Sequence, residues 1–114
     1  MSRGWLPLAL SAALLAAAPA ALAHAVLVRS TPQHRAVLSQ VPERVDLWFN
    51  ERLEPAYSTV SVWSGAGRQV DGGDAAVPAD DPRRLSVSIR AREPGLYTVK
   101  YRVLSVDGHV VDSS

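Results

Sequence analysis

Four short runs of this chain alternate apolar and polar residues with a period of two, and that alternation points to sheets rather than amphipathic helices. Val45, Leu47 and Phe49 alternate with Asp46, Trp48 and Asn50. Val60 and Val62 share one face of TVSVWS, and Leu85, Val87 and Ile89 alternate with Ser86, Ser88 and Arg90. The longest run, residues 96–106, places Tyr97, Val99, Tyr101 and Val103 on one side. Ahead of these, HAVLVR (residues 24–29) is apolar and β-branched, and Thr31-Pro32 ends it before a loop that carries Val37-Leu38 and runs to Pro42. Glu93-Pro94-Gly95 predicts a type II turn, in which proline presets φ and glycine takes the positive φ. Short strands, turn signals and no amphipathic helix predict an all-β domain, an antiparallel β-sandwich or barrel.

Residues 65–84 break the pattern. They are rich in Gly, Asp and Pro (GAGRQV, VDGGD, PADDPRR) and read as a long connection with one short strand at Gln69-Val70. The acidic pairs lack the regular spacing of a calcium loop, so they read as solvated loop carboxylates. No internal repeat or linker divides the chain, and 114 residues suit one domain.

The first residues have a different character. Arg3 is the one charge before LPLALSAALLAAA (residues 6–18), and Ala21-Leu22-Ala23 follows Pro19. A short basic start, an apolar middle and an A-x-A end predict a secretory signal peptide over residues 1–23. The rival, an uncleaved anchor, has only residues 6–23 to span with, which is the lower limit of length. Cleavage makes His24 the first residue of a domain over residues 24–114 that lies outside the cytoplasm and is not inserted in the membrane. That domain carries 11 basic and 11 acidic side chains, so it has no electrostatic footprint for nucleic acid. It has no Cys, hence no disulfide, and its only Met departs with the signal.

Two of the three histidines stand where a metal site would use them. At a new N-terminus the amine of His24 and its own Nδ1 close a six-membered ring around one metal ion. The amine, with a pKa near 7.7, yields its proton to a strong Lewis acid at modest cost. Asp107 and His109 in Ser-Val-Asp-Gly-His are two apart and project to one face of an extended backbone, or meet through a bend at Gly108. The bland alternatives are a first histidine that arises by chance and an Asp-Gly-His that is only a turn. Nitrogen and carboxylate donors without sulfur favour one Cu(II), with Ni(II) and Zn(II) as competitors. A hydrolase reading of Ser105, Asp107 and His109 is rejected, because alternate residues on a strand are ~6.6 Å apart, too far for direct hydrogen bonds unless the backbone folds back. His34, in a loop, reads as solvent-exposed. Trp48 and Trp63, out of phase with the aliphatic faces, either cover the open face of the sandwich or flank the metal.

The chain resembles the periplasmic copper-resistance CopC family in three segments: HAVLVRSTPQHRAVL, VPERVDLWFNERLEP with an acidic residue just after the Phe, and PGLYTVKYRVLSVDGHVV. The resemblance covers nearly all of residues 24–114. It implies a small Greek-key, immunoglobulin-like β-sandwich or barrel in the periplasm that binds Cu(II) through His24 (amine and ring), Asp107 and His109. It implies a non-enzymatic carrier or buffer in copper resistance, with an inner-membrane transporter of the CopD type as partner. The Met-rich Cu(I) site of some members should be absent. In the family a further strand follows Asp-Gly-His, whereas this sequence stops at Ser114, so the resemblance also implies a fold short of its last strand. Two other readings compete: a copper oxygenase built on an N-terminal histidine, and a β-domain with no ligand.

Overall fold

The computed structural model describes residues 25–114, so the expected signal segment and His24 lie outside the described residues. Within it the chain forms β1 (Leu27–Thr31), β2 (Arg44–Phe49), a 3-10 turn at Pro55–Tyr57, β3 (Thr59–Ser64), β4 (Arg84–Ser88), β5 (Tyr97–Leu104) and β6 (Val110–Ser113). Two antiparallel sheets result, ordered β1-β2-β4 and β3-β5-β6. The connections β2 to β3, β3 to β4 and β4 to β5 all cross between the sheets, in the manner of a Greek-key sandwich. A strand therefore does follow Asp-Gly-His: β6 pairs with β5 from Leu104↔Val110 to Tyr101↔Ser113.

The period-two runs supply the core. Val45, Leu47 and Phe49 of β2, Leu85 and Val87 of β4 and Ile89 beyond it meet Val60 and Val62 of β3 and Val103 of β5, all buried. Each such side chain contributes ~1.5–3 kcal/mol of burial. Phe49 meets Tyr101 edge to face, with ring centroids 5.3 Å apart at 72°. On the outward faces Trp48 and Trp63 each lie under a cation: Arg29 is 3.8 Å from the centroid of Trp48, and Lys100 is 5.1 Å from that of Trp63. Cross-strand register explains both, since Trp48 opposes Arg29 and Trp63 is diagonal to Lys100. Trp48 and Trp63 thus cover the outer faces of the two sheets.

The sandwich is stitched along its β3–β4 side by the polar connection. Val70 N–H donates to Val62 O on β3, and Arg90 N–H and Gly72 N–H donate back to Val70 O and Ser88 O. Bridges at Gln69, Asp71 and Ala76 replace the single short strand expected there. The carboxylates of this stretch are not merely solvated. Asp71 is buried and accepts from Val62 N–H (2.9 Å), Gln69 Nε2 (3.0 Å) and Gly73 N–H (3.0 Å). Asp74 accepts from the backbone N–H and hydroxyl of Ser88, and Asp81 from Trp48 Nε1. Backbone donors left over where the strands separate need acceptors, and carboxylates provide them. Gly95 does take a positive φ, but at 153° rather than the +80° of a type II turn. Opposite the stitched side, a cleft of about 560 Å³ opens between the sheets beside Leu27, Tyr97, Val99 and Tyr101.

Candidate metal site

Asp107 and His109 sit together on the five-residue loop, 105–109, that joins β5 to β6. Ser105 N–H donates to His109 O (3.1 Å) and Gly108 N–H to Ser105 O (2.9 Å), which closes the loop. Gly108 takes φ 95°, a conformation costly for any side chain. The pair is therefore presented by a bend and not by the pleat of an extended strand. Asp107 is exposed at the tip and His109 is half-buried where β6 begins. The hydroxyl of Ser105, a fully buried residue, donates to Asp107 Oδ1 and so orients the carboxylate. Such outer partners are what fix a metal-ligating carboxylate.

The start of the described chain reaches the same end of the sandwich. β1 begins where β2 ends, with Leu27 opposite Phe49. Before that, Asn50 holds Val26 from both sides: Val26 N–H donates to Asn50 Oδ1 (2.7 Å), and Asn50 N–H donates to Val26 O (3.0 Å). Ala25 is buried at 3% exposure. A bulge between Leu27 and Arg29 then shifts the alternation, so that Ala25 and Leu27 face the core while Arg29 stays out on Trp48. Two residues beyond Asn50, Arg52 O accepts Val106 N–H (3.0 Å), Leu53 bridges Ser105, and Glu54 N–H donates to Leu104 O (2.8 Å). One stretch, residues 50–54, thereby holds both the beginning of β1 and the loop bearing Asp107 and His109.

The other histidine is elsewhere. His34 is exposed in the loop after β1, at the opposite end of the sandwich. Among the described residues no group of three or more His, Asp or Glu gathers, and the 105–109 loop offers two candidate donors. Sequence patterning does not reveal Asn50 or Ser105 in these roles. An Asn after a strand reads as a turn residue, and Ser105 stands out only as a misleading triad member.

Comparison with known proteins agrees with this architecture. The CopC domain model matches residues 27–114. The chain is 29% identical over 90 residues to the copper transport protein CutJ of Bacillus subtilis, covering 78% of this chain but only 17% of that one. It is 30% identical over 92 residues to protein YobA of Escherichia coli K12, covering 80% of this chain and 74% of that one. Among solved structures it is similar to CopC from Methylosinus trichosporium OB3b, with TM-score 0.64, 36% identity, and 79% and 87% of the two chains covered. It is also similar to PcoC, a copper resistance protein from Escherichia coli, with TM-score 0.67, 26% identity, and 77% and 92% covered. With a family match along nearly all of its described length and the same β-sandwich in its structural neighbours, the chain belongs to the CopC domain family.

Proposed function

We propose that this protein is a periplasmic Cu(II) carrier or buffer in copper resistance and homeostasis, and that it is not an enzyme. In this reading residues 1–23 are removed as a signal peptide. His24 then supplies a terminal amine and an imidazole nitrogen, and Asp107 and His109 complete the donors for one Cu(II). The observation that carries the reading is the shared anchorage: residues 50–54 hold Val26, two residues after His24, and also the loop of Asp107 and His109. Nitrogen donors with a carboxylate, and no sulfur in the mature chain, suit Cu(II) better than Cu(I). The copper named for CutJ and the copper resistance named for PcoC support the same cargo. A carrier must also release its metal, and an inner-membrane transporter of the CopD type is the proposed recipient.

The test is a chelator-competition titration with Cu(II) of the chain beginning at His24 and of the same chain with one glycine added ahead of it. The expected result is one Cu(II) per chain. The extension should weaken binding by more than the roughly 10–100-fold that loss of an outer-shell partner costs. Equal affinities would remove the N-terminal nitrogen from the site, and no binding by either form would remove copper from the function.

A further inference from the structure

We infer that Asn50 is a positioning residue for the metal site, setting the chain start against the 105–109 loop; this rests on the copper reading above. Regular pairing of β1 with β2 begins only at Leu27↔Phe49. Ahead of it the side-chain amide of Asn50 stands in for a strand, accepting Val26 N–H at 2.7 Å while the Asn50 N–H donates to Val26 O at 3.0 Å. The hold is bidirectional and short, and its far side is fixed because Phe49 is buried at 2% exposure. Clamping Val26 therefore sets a limit of ~7 Å, by covalent length alone, on how far from it a terminal His24 could offer its nitrogens to a metal. The opposite half of the site is fixed from the same stretch, through Arg52 O and Leu53 to Val106 and Ser105.

The clamp has a use beyond folding. Asn50 and Val26 are exposed, so water can replace the lost hydrogen bonds when the side chain is removed. What water cannot replace is the placement. A bidentate N-terminal ligand on a frayed lead must be ordered as the metal binds, and that ordering weakens the complex.

The experiment compares wild type, Asn50→Ala and Asn50→Asp in the chain that begins at His24. Aspartate keeps an acceptor oxygen for Val26 N–H, and alanine does not. Asn50→Ala should bind Cu(II) about 10-fold more weakly, at the lower end of outer-shell effects, with an altered Cu(II) EPR hyperfine pattern. In the metal-free protein its Val26 amide should exchange with solvent faster while thermal unfolding scarcely moves. Asn50→Asp should keep the wild-type exchange rate and affinity. Wild-type affinity and EPR spectrum in Asn50→Ala would overturn the inference, as would an unaltered Val26 exchange rate or an equal loss in Asn50→Asp. A wild-type chain that binds no Cu(II) would instead sink the copper reading, and this inference with it.

Discussion

Replacing Asp71 by alanine should cost this domain far more than the loss of a surface carboxylate. The residue is 9% exposed and its two oxygens take three donors, two of them backbone N–H groups, on the stitched side of the sandwich. Val62 is 1% exposed, so its N–H would be left without water or a partner, a penalty of ~1–3 kcal/mol. Gln69 and Gly73 are nearer solvent, and their lost bonds add ~0.5 kcal/mol each at the low end of such contributions. The sum is about 2–4 kcal/mol, and at ~4–8 °C per kcal/mol for a domain of this size Tm should fall by roughly 10–30 °C. Asp71→Asn keeps one acceptor oxygen and should lose about half as much.

Acid should reveal the same group. Burial pushes the Asp71 carboxyl up, but the hydrogen bonds from Val62, Gln69 and Gly73 outweigh it and hold the carboxyl below its ordinary 3.8. A depressed folded value means that the stabilisation is complete above the ordinary value and is lost as pH falls through the folded one. The gap in stability between wild type and Asp71→Asn should therefore be constant from pH 7 to about 5 and narrow below the ordinary value of 3.8. Thermal unfolding followed by circular dichroism at stepped pH measures both. A loss below ~0.5 kcal/mol in Asp71→Ala at pH 7, the scale of an ordinary surface substitution, would refute the reasoning.

Three other perturbations follow from the same structure. Leu85→Ala, at a site with no exposure, should destabilise by ~2–5 kcal/mol in urea unfolding. Gly108→Val should cost ~1–2 kcal/mol through its positive φ alone, because a Cβ there meets nothing within 4 Å, and should also weaken Cu(II) binding in a competition titration. Ser105→Ala removes the hydroxyl that orients Asp107, so Cu(II) affinity should fall about 10-fold with little change in unfolding midpoint.

Strands β2, β3, β4 and β5 are legible in the sequence because each turns one apolar face to the core, which writes a period of two into the residues, although in β4 the intervening Ser86 is buried as well. What escapes is written in other terms. The carboxylates of residues 71–81 look like loop solvation, yet Asp71 and Asp74 accept strand backbone N–H groups of β3 and β4, and Asp81 accepts the indole N–H of Trp48. Their partners, at Val62, Ser88 and Trp48, lie 9, 14 and 33 residues away, beyond any local pattern. Asp107 and His109 are visible as ligand types, and Gly108 shows that a bend was needed. Asn50 and Ser105 gain meaning only when β1, β2 and β5 meet at one end of the sandwich. Trp48 and Trp63 illustrate the limit: their phase shows that they face outward, but only cross-strand register supplies the Arg29 and Lys100 above them.

The most direct measurement is native and intact mass spectrometry of the protein exported from cells, with and without Cu(II). The account predicts a chain whose first residue is His24 and which gains the mass of one copper ion. A chain that begins at any other residue, or that takes up no copper, would contradict it.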